Sequence, residues 1–174
     1  MTRLIYLILF LPAAVHANDR QIVCVLTVDD MAFSDLVKND TPFIDKLADE
    51  GITLNNFRTY PTCQPTRWGL MSGKNPIGVD RTIPLPSTPA MAERMSSLGY
   101  STGHFGKWHV ATPPEDAGFS TVLLGVNEPT RAEVSIRLDT EARNWLRNKP
   151  GDVFLSLALP SPHLPTTPTR AANI

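Results

Sequence analysis

The chain of 174 residues carries 16 Lys plus Arg against 17 Asp plus Glu, a formal net charge of −1, with 42% hydrophobic and 19% charged residues. This balance excludes a polybasic nucleic-acid binder, an acidic disordered tail and a collagen-like or low-complexity chain, and the length suits one domain with a real core. The 16 Pro against 10 Gly imply many fixed turns, and the two cysteines, Cys24 and Cys63, are too few for a disulfide framework and lie in no zinc-binding spacing.

Residues 1–17 read as a cleaved secretory signal. Arg3 supplies the positive start, residues 4–11 an apolar run too short to span a membrane, and Val15-His16-Ala17 a cleavage site with small ends. The expected mature chain, residues 18–174, is therefore secreted or periplasmic and has no stable membrane anchor.

Residues 21–28 form a near-continuous apolar, β-branched run that stops at Asp29-Asp30, the pattern of a strand buried on both faces, with Cys24 inside. Thr41-Pro42 opens a helix with Phe43, Ile44, Leu47 and Ala48 on one face, and Gly51 closes it. Thr88-Pro89 repeats the start signal, with Met91, Met95 and Leu98 at helical spacing and Gly99 as the stop before a strand over 100–105. Thr130 and Glu133 make a capping box for a helix whose stripe is Val134, Leu138, Ala142, Trp145 and Leu146 and which ends near Lys149; residues 153–159 are a further buried strand. Three buried strands alternating with amphipathic helices predict an α/β fold, a three-layer α/β/α sandwich with a mainly parallel central sheet.

In such sheets polar sites collect beyond the carboxyl ends of the strands. Three clusters fall there: Asp29-Asp30, Gly106-Lys107-Trp108-His109 and Ser161-Pro162-His163. Two adjacent carboxylates repel each other and lose solvation on burial, which a hard divalent cation relieves, although the pair alone also suits a solvated turn or a helix cap. The segment Cys63-Gln64-Pro65-Thr66-Arg67, followed by Gly73, starts a helix at Pro65 with Cys63 just before it and Arg67 one turn along. Backbone N–H groups and a guanidinium at that place suit a sulfate or phosphate; the bland alternatives are a buried small thiol and a surface ion pair. His104, within a strand, is read as structural.

Cys63-Gln64-Pro65-Thr66-Arg67 resembles the C-x-P-x-R signature of the type I sulfatases, alkaline-phosphatase-like enzymes in which that cysteine becomes formylglycine. Residues 28–36 resemble the family's first metal-binding segment, residues 41–51 its first helix, Gly106-Lys107-Trp108-His109 its Lys/His motif, and residues 161–165 its next His motif. Thr66 stands where the family usually has Ser or Ala. A further Asp-Asn ligand pair and a second Lys, expected downstream, are absent from the 174 residues, so the resemblance is to the N-terminal part of a sulfatase catalytic domain.

The resemblance implies a sulfuric ester hydrolase. Asp29, Asp30 and position 63 would bind Ca²⁺ or Mg²⁺. A formylglycine hydrate at Cys63, made by a formylglycine-generating enzyme, would attack sulfur with help from Arg67, leaving a covalent sulfo-enzyme that its second hydroxyl resolves. Lys107 and His163 would contact the sulfate ester or protonate its leaving group, and His109 would orient the hydrate. The alternatives carried forward are a phosphodiesterase or phosphonate monoester hydrolase of the same superfamily, and an inactive fragment.

Overall fold

The computed structural model describes residues 20–80, 82–125 and 130–163. The expected signal, residues 1–17, and the end of the last motif, Leu164-Pro165, lie outside them.

The elements run β1 (Ile22–Asp29), α1 (Phe33–Lys38), α2 (Pro42–Glu50), α3 (Cys63–Ser72), α4 (Met91–Ser97), β2 (Ser101–Gly106), β3 (Thr121–Leu123), α5 (Arg131–Asn148) and β4 (Val153–Pro162). The four strands form one sheet in the order β1-β4-β2-β3, every pair parallel. With α3 and α4 packed on one face and α5 on the other, this is the expected three-layer α/β/α architecture.

Alternation along each strand divides the core in two. Phe154 and Thr102 face α3 and α4, where Phe154, Ala92, Met71, Trp108 and Phe119 pack together. Leu155, Leu157 and Phe105 face α5 and meet its stripe of Val134, Leu138 and Ala142. At Gly103 the indole of Trp145 lies so close that an added Cβ would meet its ring at 2.8 Å, so only glycine lets α5 seat on β2. At α5 the N-cap half of the expected box is present: Thr130 Oγ1 accepts from the Glu133 N–H at 3.1 Å, while the Glu133 carboxylate accepts from the Thr130 hydroxyl at 2.9 Å.

Three expectations are corrected. β1 is not covered on both faces: it is at the sheet's edge among the described residues, with Ile22 49% and Leu26 51% exposed, because α5 covers β4 and β2 but does not reach it. Cys24 is consequently exposed. The helix over 42–50 forms as expected, yet it has no buried residue, and Phe43 is 84% exposed. Two short elements, α1 and β3, carry too little periodic pattern to be read from composition, and α4 begins at Met91 because the Glu93 carboxylate accepts from the Ala90 N–H at 2.6 Å.

Candidate active site

Because the strands are parallel, their carboxyl ends share one end of the sheet. β1 delivers Asp29 and Asp30 there, the turn after β2 delivers Lys107 and His109, and β4 delivers His163. Asp29 pairs with Pro162 after a register shift at the end of β1, which brings the first and last clusters side by side.

α3 supplies the remaining residues. The helix starts at Cys63 itself rather than at Pro65, so Cys63 lies within the first turn and Arg67 one turn on, on the same side. Thr62, at the cap position, makes no side-chain cap. Thr66 holds the entry instead: its hydroxyl accepts from the Tyr60 N–H at 3.0 Å and donates to the Thr62 carbonyl at 3.1 Å. Gly73, at φ 66°, ends the helix in the left-handed conformation that glycine favours.

Arg67 is buried and engaged on two sides. Nη1 donates to the Lys107 carbonyl at 2.6 Å and Nη2 to Asp29 Oδ1 at 3.3 Å. Lys107 Nζ bonds the other Asp29 oxygen. Asp29 is 5% exposed. Burial by itself pushes its carboxyl up, but the Lys107 bond and the charges of Arg67 and Lys107 outweigh that and hold it below its ordinary value of 3.8. The cationic pair thus compensates the buried carboxylate of Asp29, whereas the neighbouring Asp30 is exposed to solvent and does not share the burial expected of both.

Cys63 Sγ lies 3.1 Å from His109 Nδ1. His109 has φ 57° and Asp30 φ 61°, both in the left-handed region that non-glycine residues seldom occupy, and both at this site. His163 Nε2 is 3.7 Å from Asp30 Oδ2. Two hollows meet here: one of about 340 Å³ is lined by Asp29, Asp30, Cys63 and Arg67, and one of about 470 Å³ by Asp30, Cys63, His109 and His163. All seven residues singled out from the sequence, counting both aspartates, border one end of the sheet.

The donor chemistry at Asp29, Asp30 and position 63 fits a hard cation in part. Two carboxylates border the same hollow as Cys63, and their oxygens are the ligands such ions prefer. Among the described residues, however, no group of three His, Cys, Asp or Glu is placed to hold a metal, and both Asp29 oxygens already accept from cationic side chains.

A sequence profile of the family described as Sulfatase matches residues 22–173. The chain belongs to the sulfatase family. It is 33% identical to mouse arylsulfatase J over 122 residues, 58% of this chain and 20% of that protein. It is 32% identical to an N-acetylgalactosamine-6-O-sulfatase of Bacteroides thetaiotaomicron over 108 residues, 53% of this chain and 21% of that one. The matched part therefore spans about a fifth of those relatives. Among solved structures it is similar to a 2-O GAG sulfatase (TM-score 0.66, 22% identity, 83% of this chain and 36% of that one). It is also similar to the phosphonate monoester hydrolase of Agrobacterium radiobacter (TM-score 0.70, 17% identity, 89% and 44%), and the two likenesses carry the alkaline-phosphatase-like sulfatase fold.

His104 has the structural setting expected of it. It is 1% exposed on the α3 face of β2, Nδ1 is hydrogen-bonded with Ser156 Oγ at 3.0 Å, and its edge meets Trp108. Burial lowers its pKa to about 4, the Gly106 backbone opposing and the Arg67 charge adding to the fall. What the sequence reading missed is that this polar interior continues under the site. Thr27 and Ser156 are polar residues that interrupt the apolar runs of β1 and β4, and that break in pattern is the signal that could have exposed them; His104 lies in the polar strand β2, where no such break marks it.

Proposed function

We propose that this chain carries the nucleophile-bearing part of a sulfuric ester hydrolase site. The observation that carries the reading is the placement of Cys63, at the start of α3, 3.1 Å from His109 and one turn from the buried Arg67. The sulfatase family membership and the arylsulfatase relatives support it.

Hydrolysis of R–O–SO₃⁻ by water breaks the S–O bond to the alcohol, places a water-derived oxygen on sulfur and puts a proton on the leaving oxygen. The protein must therefore receive three sulfate oxygens that share one negative charge, and deliver a proton to the leaving oxygen. Arg67, fixed by Asp29 and by the Lys107 carbonyl, presents a guanidinium that cannot swing away, and Lys107 adds a second positive charge at the same end of the sheet. His109 takes or holds a proton at position 63, and His163, across the second hollow, gives one to the leaving oxygen.

Conversion of Cys63 by a formylglycine-generating enzyme would supply a hydrated aldehyde as nucleophile in place of the thiol. Asp29 and Asp30, with position 63, would hold part of the shell of Ca²⁺ or Mg²⁺, whose charge would help neutralise the sulfate oxygens. Residues 1–17 are proposed as an export signal and residues 18–174 as the N-terminal part of the catalytic domain, with the protein secreted or periplasmic. Among the described residues no helix is long and apolar enough to cross a membrane.

The test is to co-express the full-length protein that contains this chain with a formylglycine-generating enzyme and compare 4-nitrophenyl sulfate with an aryl phosphonate ester. Preferred turnover of the sulfate supports the reading. Preferred turnover of the phosphonate would assign the same residues to phosphoryl chemistry, and turnover of neither would count against both.

A further inference from the structure

Beneath the site, between β1, β2, β4 and α3, lies a separate small cavity of about 10 Å³, bordered by Thr27, Arg67, Leu70, His104, Trp108 and Ser156. Two buried polar atoms have no hydrogen-bond partner among the described residues: Arg67 Nε and His104 Nε2. Both residues border this cavity. A buried N–H left without an acceptor and a ring nitrogen left without a partner are rare in native interiors, where such groups bond to protein or to ordered water. The volume is at the lower limit for a single water molecule, and buried waters sit where two or more polar groups converge.

The two groups are chemically complementary. Arg67 Nε carries a hydrogen and can only donate. At neutral pH the buried His104 ring is uncharged and bears one N–H; in the tautomer whose Nδ1–H faces Ser156 Oγ, Nε2 is an acceptor. A water molecule answers both, accepting from Arg67 and donating to His104, with Thr27 and Ser156 on the same cavity wall for its remaining bonds.

We propose that one ordered water occupies this cavity and links Arg67 Nε to His104 Nε2, which makes His104 a positioning residue for the guanidinium. Arg67 is then held at three points: Asp29 at Nη2, the Lys107 carbonyl at Nη1 and the water at Nε. Rotation of the guanidinium about its long axis would break all three bonds. The water stands on the cavity and the two orphaned atoms, whereas the positioning role also rests on the reading of Arg67 as a sulfate-binding group.

A high-resolution crystal structure of the full-length mature protein tests the water directly. Density within hydrogen-bond distance of both nitrogens is expected; an empty cavity, or a water bonded to neither, overturns the proposal. Two variants test the role. His104→Asn keeps a polar atom near Nδ1 for Ser156 and loses the one at Nε2, whereas His104→Gln keeps a polar atom near Nε2. With 4-nitrophenyl sulfate, kcat should fall about tenfold in His104→Asn and stay within about threefold of the unaltered protein in His104→Gln, in the range seen when a supporting partner of a site residue is lost. Equal losses in the two variants would show that His104 acts only as packing and would overturn the role. If the unaltered protein turns over no sulfate ester, the hydrolase reading fails and the density alone decides the water.

Discussion

The thiol of Cys63 and the imidazole of His109, 46 positions apart in the chain, stand 3.1 Å from each other because one begins α3 and the other ends the turn after β2 in a left-handed conformation. A proton-accepting ring is therefore in reach of whatever nucleophile position 63 carries. If that nucleophile is a formylglycine hydrate, a peptide covering residues 61–73 from protein co-expressed with a formylglycine-generating enzyme will react with a hydrazide and show the mass change from CH₂SH to CHO at position 63. Cys63→Ser will remove the aldehyde signal. An unmodified thiol throughout would exclude the formylglycine reading.

The same contact makes a prediction for His109. General acid–base groups contribute roughly 10²–10⁴-fold to rate. Substitution of His109 by Ala should lower kcat for an aryl sulfate by about a hundredfold or more, with a smaller change in KM, because the ring nitrogen Nδ1 lies 3.1 Å from the sulfur of position 63. A change confined to KM would place His109 in substrate binding instead.

Gly106 connects β2 to Lys107 and has φ 115°, and a Cβ there would lie 2.0 Å from the Ala158 carbonyl oxygen of β4. Neither the angle nor the space admits a side chain. Gly106→Ala should therefore destabilise the protein by about 3 kcal/mol or more, since β2 and β4 must move apart to relieve the clash. Urea denaturation provides the measurement. A loss under about 1 kcal/mol would mean that the β2–β4 spacing at this point is softer than the packing implies.

His104 makes stability depend on pH. Its pKa is about 4 in the fold against 6.5 for an ordinary imidazole. Between those values the unfolded chain binds the proton and the folded one does not, so stability rises with pH across this window and is lost on acidification from 6.5 towards 4. The full difference is on the order of 3 kcal/mol. His104→Gln, which cannot titrate, should flatten this part of the profile when urea midpoints are compared at pH 7 and pH 4.5. Parallel profiles for the two proteins would assign the acid sensitivity to other groups.

Much of this arrangement was legible in the residues, for identifiable reasons. The strand over 153–159 and the helix from 131 carry long patterns that local physics alone decides; the structure keeps the helix almost to the residue and carries the strand three residues further, to Pro162. Cys63, Arg67, Lys107, His109 and His163 stand at strand ends or helix starts, where a parallel sheet gathers them. Edge position was not legible. The apolar run of β1 reads the same whether one neighbour or two flank it, and only the order β1-β4-β2-β3 shows that Ile22 and Leu26 are uncovered here. Nor was the start of α3: Pro65 is a good first-turn residue, but Thr66 bonding back to Tyr60 and Thr62 lets the helix begin two residues earlier.

The uncovered surfaces lead to the last prediction. Phe43 is 84% exposed, Ile52 90% and Phe57 71%, and they stand with the open edge of β1 on the described part of the chain. Exposed apolar side chains and an unpaired, β-branched strand edge are each a template for association with other chains. Residues 18–174 expressed alone should therefore aggregate or remain partly unfolded. They should also lack measurable aryl sulfatase activity even with position 63 converted, because a rigid calcium site takes about six to eight oxygens, and Asp29, which already accepts from Arg67 and Lys107, and Asp30 furnish too few. Size-exclusion chromatography, thermal melting and a 4-nitrophenyl sulfate assay with and without Ca²⁺ decide the matter together. A cooperatively melting monomer with metal-dependent turnover would refute the prediction, and would require that the exposed β1 edge be tolerated in solution and that backbone or water oxygens complete the cation's shell.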